Sequence, residues 1–201
     1  MSQPKAVFVD RDGVINELVA DPLTGRPESP LRVRDVALLP AAAPALRRLA
    51  DSGCRLVGVS NQPSAAKGLV SAFELQSIQA RVLELLAAEA VRFDDFRLCL
   101  HHPDGVVAEL TGVCDCRKPA PGMLLDAARD LHIELASSWM IGDTDTDVLA
   151  GQAAGCRTAL IGHPPSYHKR NGDVRPDIVA ADLGAAVDII LVGREYIEPG
   201  D

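Results

Sequence analysis

The feature that most constrains this chain is an alternation of short apolar segments with longer segments of helical periodicity. The strand candidates are short, apolar and bounded by polar or turn-forming residues, and they lie at 6–9, 56–59, 96–100, 139–141, 158–161 and 178–179. The helix candidates carry apolar residues at helical spacing, and they lie at 42–52, 71–89, 121–132, 144–154 and 183–191. This alternation predicts an α/β fold with a mostly parallel sheet that helices cover on both faces.

Length and composition predict a single globular domain. The chain has 201 residues, of which 47% are hydrophobic and 24% charged, and we expect one domain over 1–193 followed by a C-terminal tail at 194–201. Lys and Arg number 20 and Asp and Glu 28, so the net charge is −8, and aromatic residues make up only 3%. An acidic chain with few aromatic residues is a poor binder of nucleic acid or anionic membranes, so we expect neither as a partner.

Apolar runs and cysteine count bear on the cellular compartment. No apolar run reaches the ~18 residues of a membrane span, and the run at 6–9 begins too early for a signal peptide. The 5 cysteines are an odd number, which does not favour a framework of disulfides. We therefore expect a cytoplasmic protein with reduced thiols. A chain of this length needs no partner to close its core, so we also expect a monomer.

Two carboxylates follow the first predicted strand, at the edge where ligands bind in sheets of this kind. Asp10 and Asp12 are separated by one residue, so their charges repel each other unless a cation or hydrogen bonds offset the repulsion. Such a pair can supply a nucleophile and a general acid/base. The alternative is a simple turn, in which Asp and Gly are common.

Further polar residues follow the later strands. Ser60 and Asn61 end the second strand, Lys118 precedes a helix, and Asp143 and Asp147 follow the strand at 139–141. Each signal alone is ambiguous, because each residue could belong to a loop, a solvated surface or a helix cap. Together they favour a phosphoryl-transfer site: carboxylates for Mg²⁺, and a hydroxyl and an ammonium group for the phosphoryl oxygens.

The chain resembles the haloacid dehalogenase (HAD) superfamily in four segments that occur in the expected order: D-R-D-G-V-I-N, V-S-N-Q, R-K-P and I-G-D-T-D-T-D. The resemblance implies a Rossmann-like core and Mg²⁺-dependent phosphate hydrolysis through an aspartyl-phosphate. It assigns the nucleophile to Asp10 and the general acid/base to Asp12, whose backbone carbonyl also binds the metal. The metal-binding acid is Asp143, supported by Asp147. The phosphate-binding positions are Ser60 and Lys118.

A second set of residues has the spacing of a zinc site. Cys99, His101, Cys114 and Cys116 offer three thiolates and one imidazole, a set suited to tetrahedral Zn²⁺. The alternative is three buried free cysteines and a surface histidine. His102 competes with His101, which is the residue that matches the family pattern. Four protein ligands leave no open position, so we expect a structural zinc within a loop at 99–116.

The segments H-H-P and C-D-C-R-K-P-A-P-G-M are similar to those of the D-glycero-D-manno-heptose 1,7-bisphosphate phosphatases, which remove the 7-phosphate, and of the related histidinol-phosphate phosphatases. This resemblance implies that the chain has no large cap domain. It also implies that Arg117 contacts a substrate phosphate and that Asn61 contacts the substrate. The expected partner is therefore a small phosphorylated sugar.

Three departures from the heptose enzymes concern substrate recognition more than chemistry. The segment 63–68 contains Pro63, which removes a backbone donor, the loop at 21–27 is longer than usual, and Thr144 stands where a lysine is common. Histidinol-phosphate phosphatase and polynucleotide 3′-phosphatase activities therefore remain alternatives, although the acidic charge argues against the latter. A zinc-containing binding module with a decayed active site is a remote alternative, because the catalytic residues are intact.

Overall fold

The computed structural model describes residues 4–21 and 24–195. The strands are β1 (Ala6–Val9), β2 (Val19–Ala20), β3 (Pro27–Glu28), β4 (Arg55–Asn61), β5 (Asp95–Cys99), β6 (Trp139–Gly142), β7 (Arg157–Ile161) and β8 (Ile178–Ala180). The α-helices are α1 (Ala42–Asp51), α2 (Ala72–Ala88), α3 (Gly122–Leu131), α4 (Asp145–Ala153) and α5 (Leu183–Glu195). The predicted α/β alternation is confirmed.

A parallel six-stranded sheet has the order β5-β4-β1-β6-β7-β8. The central strand β1 pairs with β4 on one side and β6 on the other, so that Val9 lies opposite both Gly58 and Ile141. Because all three strands run in the same direction, the residues at their carboxyl ends lie side by side at one edge of the sheet. This register brings the predicted site residues together.

Helices cover both faces of the sheet. Val7 and Val9 on one face belong to the core that α1, α2 and α5 complete, whereas Ala6 and Phe8 on the other belong to the core under α3 and α4. All four β1 residues are buried, as expected for a strand covered on both sides. No helix of the described ranges is long and apolar enough to cross a membrane.

Two short elements lie in segments that the sequence predicts as loops. β2 and β3 form an antiparallel hairpin, and a 3-10 helix spans Pro164–Lys169. Strands of two residues are too short to show any periodicity, which is why the sequence does not reveal them. In the described part of 11–41, this hairpin and the 3-10 helix Val33–Asp35 are the regular elements, so no large cap is built there.

The chain ends differ slightly from the prediction. The last helix continues to Glu195, beyond the end predicted near Leu191, and residues 196–201 of the predicted tail lie outside the described residues.

Residues 22 and 23 of the loop at 21–27 also lie outside the described residues.

Candidate active site

Asp10 lies directly after the central strand. Its backbone N–H donates to the carbonyl of Ile141 at 3.0 Å, which continues the pairing of β1 with β6. Its Oδ1 lies 2.9 Å from Nζ of Lys118. Burial raises the pKa of Asp10 to about 6, because the loss of hydration outweighs the attraction of the Lys118 charge. The fold thus holds this carboxylate in place but makes its ionised form costly without further positive charge.

Lys118 is buried, and its ammonium group has three polar partners. Its Nζ lies 2.9 Å from Asp10 Oδ1 and 2.6 Å from Asp147 Oδ1, and it donates to the carbonyl of Val59 at 2.8 Å. These contacts match the three donors of an ammonium group. Burial opposes the charge, but the carboxylates of Asp10 and Asp147 raise the pKa of Lys118 above its ordinary value. A permanent positive charge is therefore fixed beside Asp10.

Asn61 holds the backbone of Lys118 through two hydrogen bonds. Its Nδ2 donates to the carbonyl of Lys118 at 2.9 Å, and its Oδ1 accepts from the N–H of Lys118 at 3.0 Å. The side chain that the resemblance assigns to substrate contact therefore positions the loop of Lys118. The neighbouring Arg117 donates from Nη1 to the carbonyl of His101 at 3.3 Å and also lines the cavity described below.

Asp12 has a different environment from Asp10. The buried Arg11 places Nη2 2.9 Å from Asp12 Oδ2, Asn16 Nδ2 donates to Oδ1 at 2.9 Å, and Gln62 Nε2 donates to Oδ2. Burial raises the pKa of Asp12, but the Arg11 charge and these hydrogen bonds outweigh it, so the pKa lies below its usual value. The two carboxylates are thus shifted in opposite directions.

Asp143 presents one oxygen without a partner. Its Oδ2 accepts a hydrogen bond from Ser166, whereas its Oδ1 is buried and has no hydrogen-bond partner among the described residues. Gly13, at φ +87, permits this arrangement, because a Cβ there would overlap Oδ2 of Asp143. A buried carboxylate oxygen with no donor is a ligand that fits a hard cation such as Mg²⁺.

Asp147 is both a helix cap and an anchor. Its Oδ2 accepts from the N–H of Thr144 at 3.0 Å and from the Thr144 hydroxyl at 2.7 Å, while its Oδ1 holds Lys118. Oxygens of Asp10, Asp143 and Asp147 lie within 4.8 Å of one another. The Asp12 carboxylate is turned toward Arg11 and does not join this group, so Asp12 could reach a metal there through its backbone.

An open cavity of about 280 Å³ lies above these residues. The predicted residues that line it are Asp10, Asp12, Ser60, Asn61, Arg117, Lys118 and Asp143. Ser60 Oγ accepts from Gln62 Nε2 at 3.0 Å. The cavity therefore combines carboxylates with cations and a hydroxyl, a set that can hold a metal ion and a phosphate ester.

Further residues reach the site beside those assigned a role from the sequence. Gln62 is the last residue of the V-S-N-Q segment, so its position at a strand end indicates it, although the resemblance assigns it no role. Glu28 and Lys169 line the cavity from the hairpin and the 3-10 helix Pro164–Lys169, and Ser166 contacts Asp143 from the same helix. The family resemblance places the loop that contains Glu28 beside the site, whereas no pattern in the sequence places the loop of Ser166 and Lys169 there.

The cysteine cluster lies beside β5. Sγ atoms of Cys99, Cys114 and Cys116 are 3.2 to 3.6 Å apart, and His101 Nδ1 lies 3.4 Å from Cys116 Sγ. Tetrahedral zinc with Zn–S bonds of about 2.3 Å holds its sulfurs about 3.8 Å apart, so the cluster is close to the required geometry. His102 does not belong to this group. Its Nδ1 accepts a hydrogen bond from the N–H of Asp104.

Comparison with known proteins gives consistent results. A family model described as HAD-hydrolase-like matches residues 115–186. A D-glycero-beta-D-manno-heptose-1,7-bisphosphate 7-phosphatase of Yersinia pestis is 34% identical over 185 residues, covering 90% of this chain and 94% of that protein. A D-glycero-D-manno-heptose-1,7-bisphosphate 7-phosphatase of Thermosynechococcus vestitus is 37% identical over 193 residues, covering 92% and 94%.

Solved structures agree with these relatives. The D,D-heptose 1,7-bisphosphate phosphatase of B. bronchiseptica, complexed with magnesium and phosphate, superposes with a TM-score of 0.78 at 28% identity, covering 94% of this chain and 99% of that one. The corresponding enzyme of Burkholderia thailandensis gives a TM-score of 0.64 at 26% identity, covering 93% and 98%. The chain therefore belongs to the D-glycero-D-manno-heptose-1,7-bisphosphate 7-phosphatase family of HAD-like phosphatases.

Proposed function

We propose that this chain removes the 7-phosphate from D-glycero-D-manno-heptose 1,7-bisphosphate through an aspartyl-phosphate on Asp10. The observation that carries the proposal is the buried Asp10–Lys118 pair, which lies beside the unpaired oxygen of Asp143 in an open cavity. The relatives that share most of the chain's length are named for this substrate.

In the first step, the Asp10 carboxylate attacks phosphorus and the sugar hydroxyl leaves. Lys118 and Ser60 stabilise the charge on the phosphoryl oxygens as the transition state forms. Asp12 gives its proton to the leaving oxygen. In the second step, Asp12 takes a proton from the water that hydrolyses the aspartyl-phosphate.

The lowered pKa of Asp12 means that this carboxylate is ionised before substrate arrives. That state suits its role as the base of the second step. For the first step Asp12 must carry a proton, and the negative charge of the entering phosphate favours its uptake, because a nearby like charge raises the pKa of a carboxyl group.

Asp10, the backbone carbonyl of Asp12 and Asp143 would hold Mg²⁺, with Asp147 in support. When bound there, the ion would neutralise phosphoryl charge and favour the ionised form of Asp10, whose pKa burial raises to about 6. The B. bronchiseptica enzyme, which was solved with magnesium and phosphate, supports this assignment.

Cys99, His101, Cys114 and Cys116 would hold a structural Zn²⁺. Four protein ligands leave no position for water or substrate. Cys116 directly precedes Arg117, so a zinc ion would fix the backbone from which Arg117 reaches the cavity. In this proposal Arg117 binds a substrate phosphate, and zinc influences activity through the shape of the loop.

The proposal includes one domain over 1–193 that acts as a monomer. None of the five cysteines, all of which lie in the described part of the chain, forms a disulfide, and this suits a reducing compartment and supports a cytoplasmic location. Elution of the protein at the mass of one chain in size-exclusion chromatography with light scattering is the expected result for a monomer.

The test is phosphate release with Mg²⁺ or with EDTA. The substrates are both anomers of heptose 1,7-bisphosphate, histidinol phosphate and a 3′-phosphorylated oligonucleotide; both anomers are needed because the relatives of Yersinia pestis and Photorhabdus laumondii are named for different ones. We expect Mg²⁺-dependent release that is fastest from a heptose anomer. Faster release from histidinol phosphate or the oligonucleotide would contradict the substrate assignment. A zinc-containing protein without activity on any substrate would indicate the decayed binding module.

A further inference from the structure

An ion pair crosses the mouth of the catalytic cavity. Glu28 belongs to the hairpin strand β3, and Lys169 is the last residue of the 3-10 helix Pro164–Lys169. Lys169 Nζ lies 2.8 Å from Glu28 Oε2, and both residues line the cavity that contains Asp10 and Lys118. His168 Nε2 lies 3.9 Å from the other oxygen of Glu28. The pair therefore joins two loops at the place where substrate must enter.

Lys169 differs from Lys118 in how firmly it is held. Lys118 is buried and bound by two carboxylates and a carbonyl, whereas the side chains of Lys169 and Glu28 are 30% and 47% exposed. An ion pair this exposed contributes little net stability, because water and salt screen it. Lys169 can therefore exchange its partner at small cost, and Lys118 cannot.

A bisphosphate brings a second doubly charged group into the cavity mouth. Lys118 is bound to the catalytic carboxylates. The other cations that line the cavity and could bind the second phosphate are Lys67, Arg117 and Lys169. Arg117 also donates to the carbonyl of His101. Glu28, at the same mouth, repels a phosphate. Of these three cations, Lys169 is the one that pairs with Glu28, so it lies where it can bind an entering phosphate next to that carboxylate.

We infer that Lys169 is a specificity-determining residue that exchanges Glu28 for the second phosphate of the bisphosphate, the phosphate that is not hydrolysed. The inference rests on the proposed function. It gives Glu28 the opposite role: this carboxylate holds the lysine near the mouth before substrate binds, and it disfavours phosphate there when the lysine is absent.

The experiment compares heptose 1,7-bisphosphate with heptose 7-phosphate, which carries the scissile phosphate but lacks the second one. The quantity compared is the kcat/KM for the bisphosphate divided by the kcat/KM for the 7-phosphate. We expect Lys169→Met to lower this ratio about tenfold, mainly by raising KM for the bisphosphate, since one charge-assisted hydrogen bond is lost. Lys169→Arg should recover most of the ratio. Lys5→Met removes the same charge from an exposed lysine just before β1, at the opposite edge of the sheet, and is the matched control.

Glu28→Gln separates this role from a structural one. We expect it to raise the ratio, because it frees Lys169 and removes the repulsion. If the pair merely connects the hairpin to the 3-10 helix, Glu28→Gln and Lys169→Met break the same contact. Both variants should then change the ratio of kcat/KM values in the same direction. That result would overturn the inference.

Kinetics of the wild-type chain test the proposed function, and kinetics of Lys169→Met test the role of Lys169. A wild-type chain that does not prefer the bisphosphate over the 7-phosphate contradicts the proposed function, and the inference with it. A wild-type preference that persists in Lys169→Met contradicts the inference alone.

Discussion

The proposed catalytic carboxylates and the cysteine cluster lie at the carboxyl ends of β1 and β5, which β4 separates in the sheet, and they are held in different ways. Asp10 is fixed by the central strand and by the buried Lys118, which Asn61 and Asp147 hold in turn. In the cysteine cluster, Cys99 ends β5, but Cys114 and Cys116 lie in a loop and are partly exposed.

The Asp10 site is therefore held by the fold itself, whereas the cysteine cluster, under the zinc proposal, would be completed by a metal ion. Buried ion pairs and strand pairing position the catalytic residues before any ligand binds. The loop at 99–116 contains the 3-10 helix Ala108–Leu110 and few buried apolar side chains. Under the zinc proposal, metal binding would therefore supply much of the free energy that orders this loop. We therefore expect mutations in the first region to affect chemistry, and mutations in the second to affect stability and substrate binding.

The largest expected effect is that of Asp10→Asn. Loss of the nucleophile should lower kcat by at least ~10⁴-fold, as removal of a catalytic nucleophile does in other enzymes. The thermal midpoint should change little, because burial already makes the ionised Asp10 carboxylate costly and because Lys118 keeps Asp147 and the Val59 carbonyl as partners. Phosphate release and thermal unfolding measure the two effects, and Asp51→Asn on the exposed side of α1 is the charge-matched control. Substantial remaining activity would refute the assignment of the nucleophile.

Lys118→Met should affect both activity and stability. Without the lysine, the buried carboxylates of Asp10 and Asp147 lose their shared cation. Breaking a buried ion pair costs about 3 to 5 kcal/mol, and loss of the phosphoryl-stabilising charge should lower kcat by ~10²- to 10³-fold. Denaturant unfolding and kinetics measure these losses. An unchanged free energy of unfolding would show that the fold does not depend on this pair.

Cys114→Ser should remove zinc with a smaller effect on activity. We expect loss of the metal by elemental analysis, a thermal midpoint lower by several degrees and about tenfold lower activity, mostly through KM, because the loop that carries Arg117 is released. Cys156→Ala alters a buried cysteine outside the cluster and should keep the zinc. A Cys114→Ser protein with unchanged zinc content and turnover would contradict the zinc assignment.

Asn61→Ala should have the smallest effect. It removes two hydrogen bonds to the backbone of Lys118, which are worth about 1 kcal/mol each. We expect a severalfold loss of kcat/KM with zinc content unchanged, since the loop of Lys118 loosens while the cysteine cluster remains. A loss as large as that of Lys118→Met would mean that Asn61 contacts the reacting phosphate directly.

The comparison also shows which parts of the site the sequence can predict. Asp10, Ser60 and Asp143 lie at the ends of adjacent parallel strands, so the pairing of β1 with β4 and β6 is enough to bring them together. Strand pairing alone does not place Lys118 at the site, because its position depends on how the loop after β5 returns to the sheet. Lys118 is predicted instead from the family resemblance of the four motifs.

Residues that reach the site from distant loops escape prediction. Lys169 and Glu28 are 141 positions apart, and nothing in their local sequences indicates that the hairpin and the 3-10 helix Pro164–Lys169 meet above the cavity. Ser166 likewise contacts Asp143 through the packing of a loop. The contact of such loops depends on long-range packing, which periodicity and turn signals do not encode.

The most direct test of the account is to trap the covalent intermediate. The protein turning over heptose 1,7-bisphosphate with Mg²⁺ is quenched in acid, digested and analysed by mass spectrometry. We predict one phosphoryl group on the peptide that contains Asp10, absent in Asp10→Asn and absent with EDTA. A phosphoryl group on another residue, or turnover that persists in Asp10→Asn, would contradict the central claim that Asp10 is the nucleophile of a phosphatase.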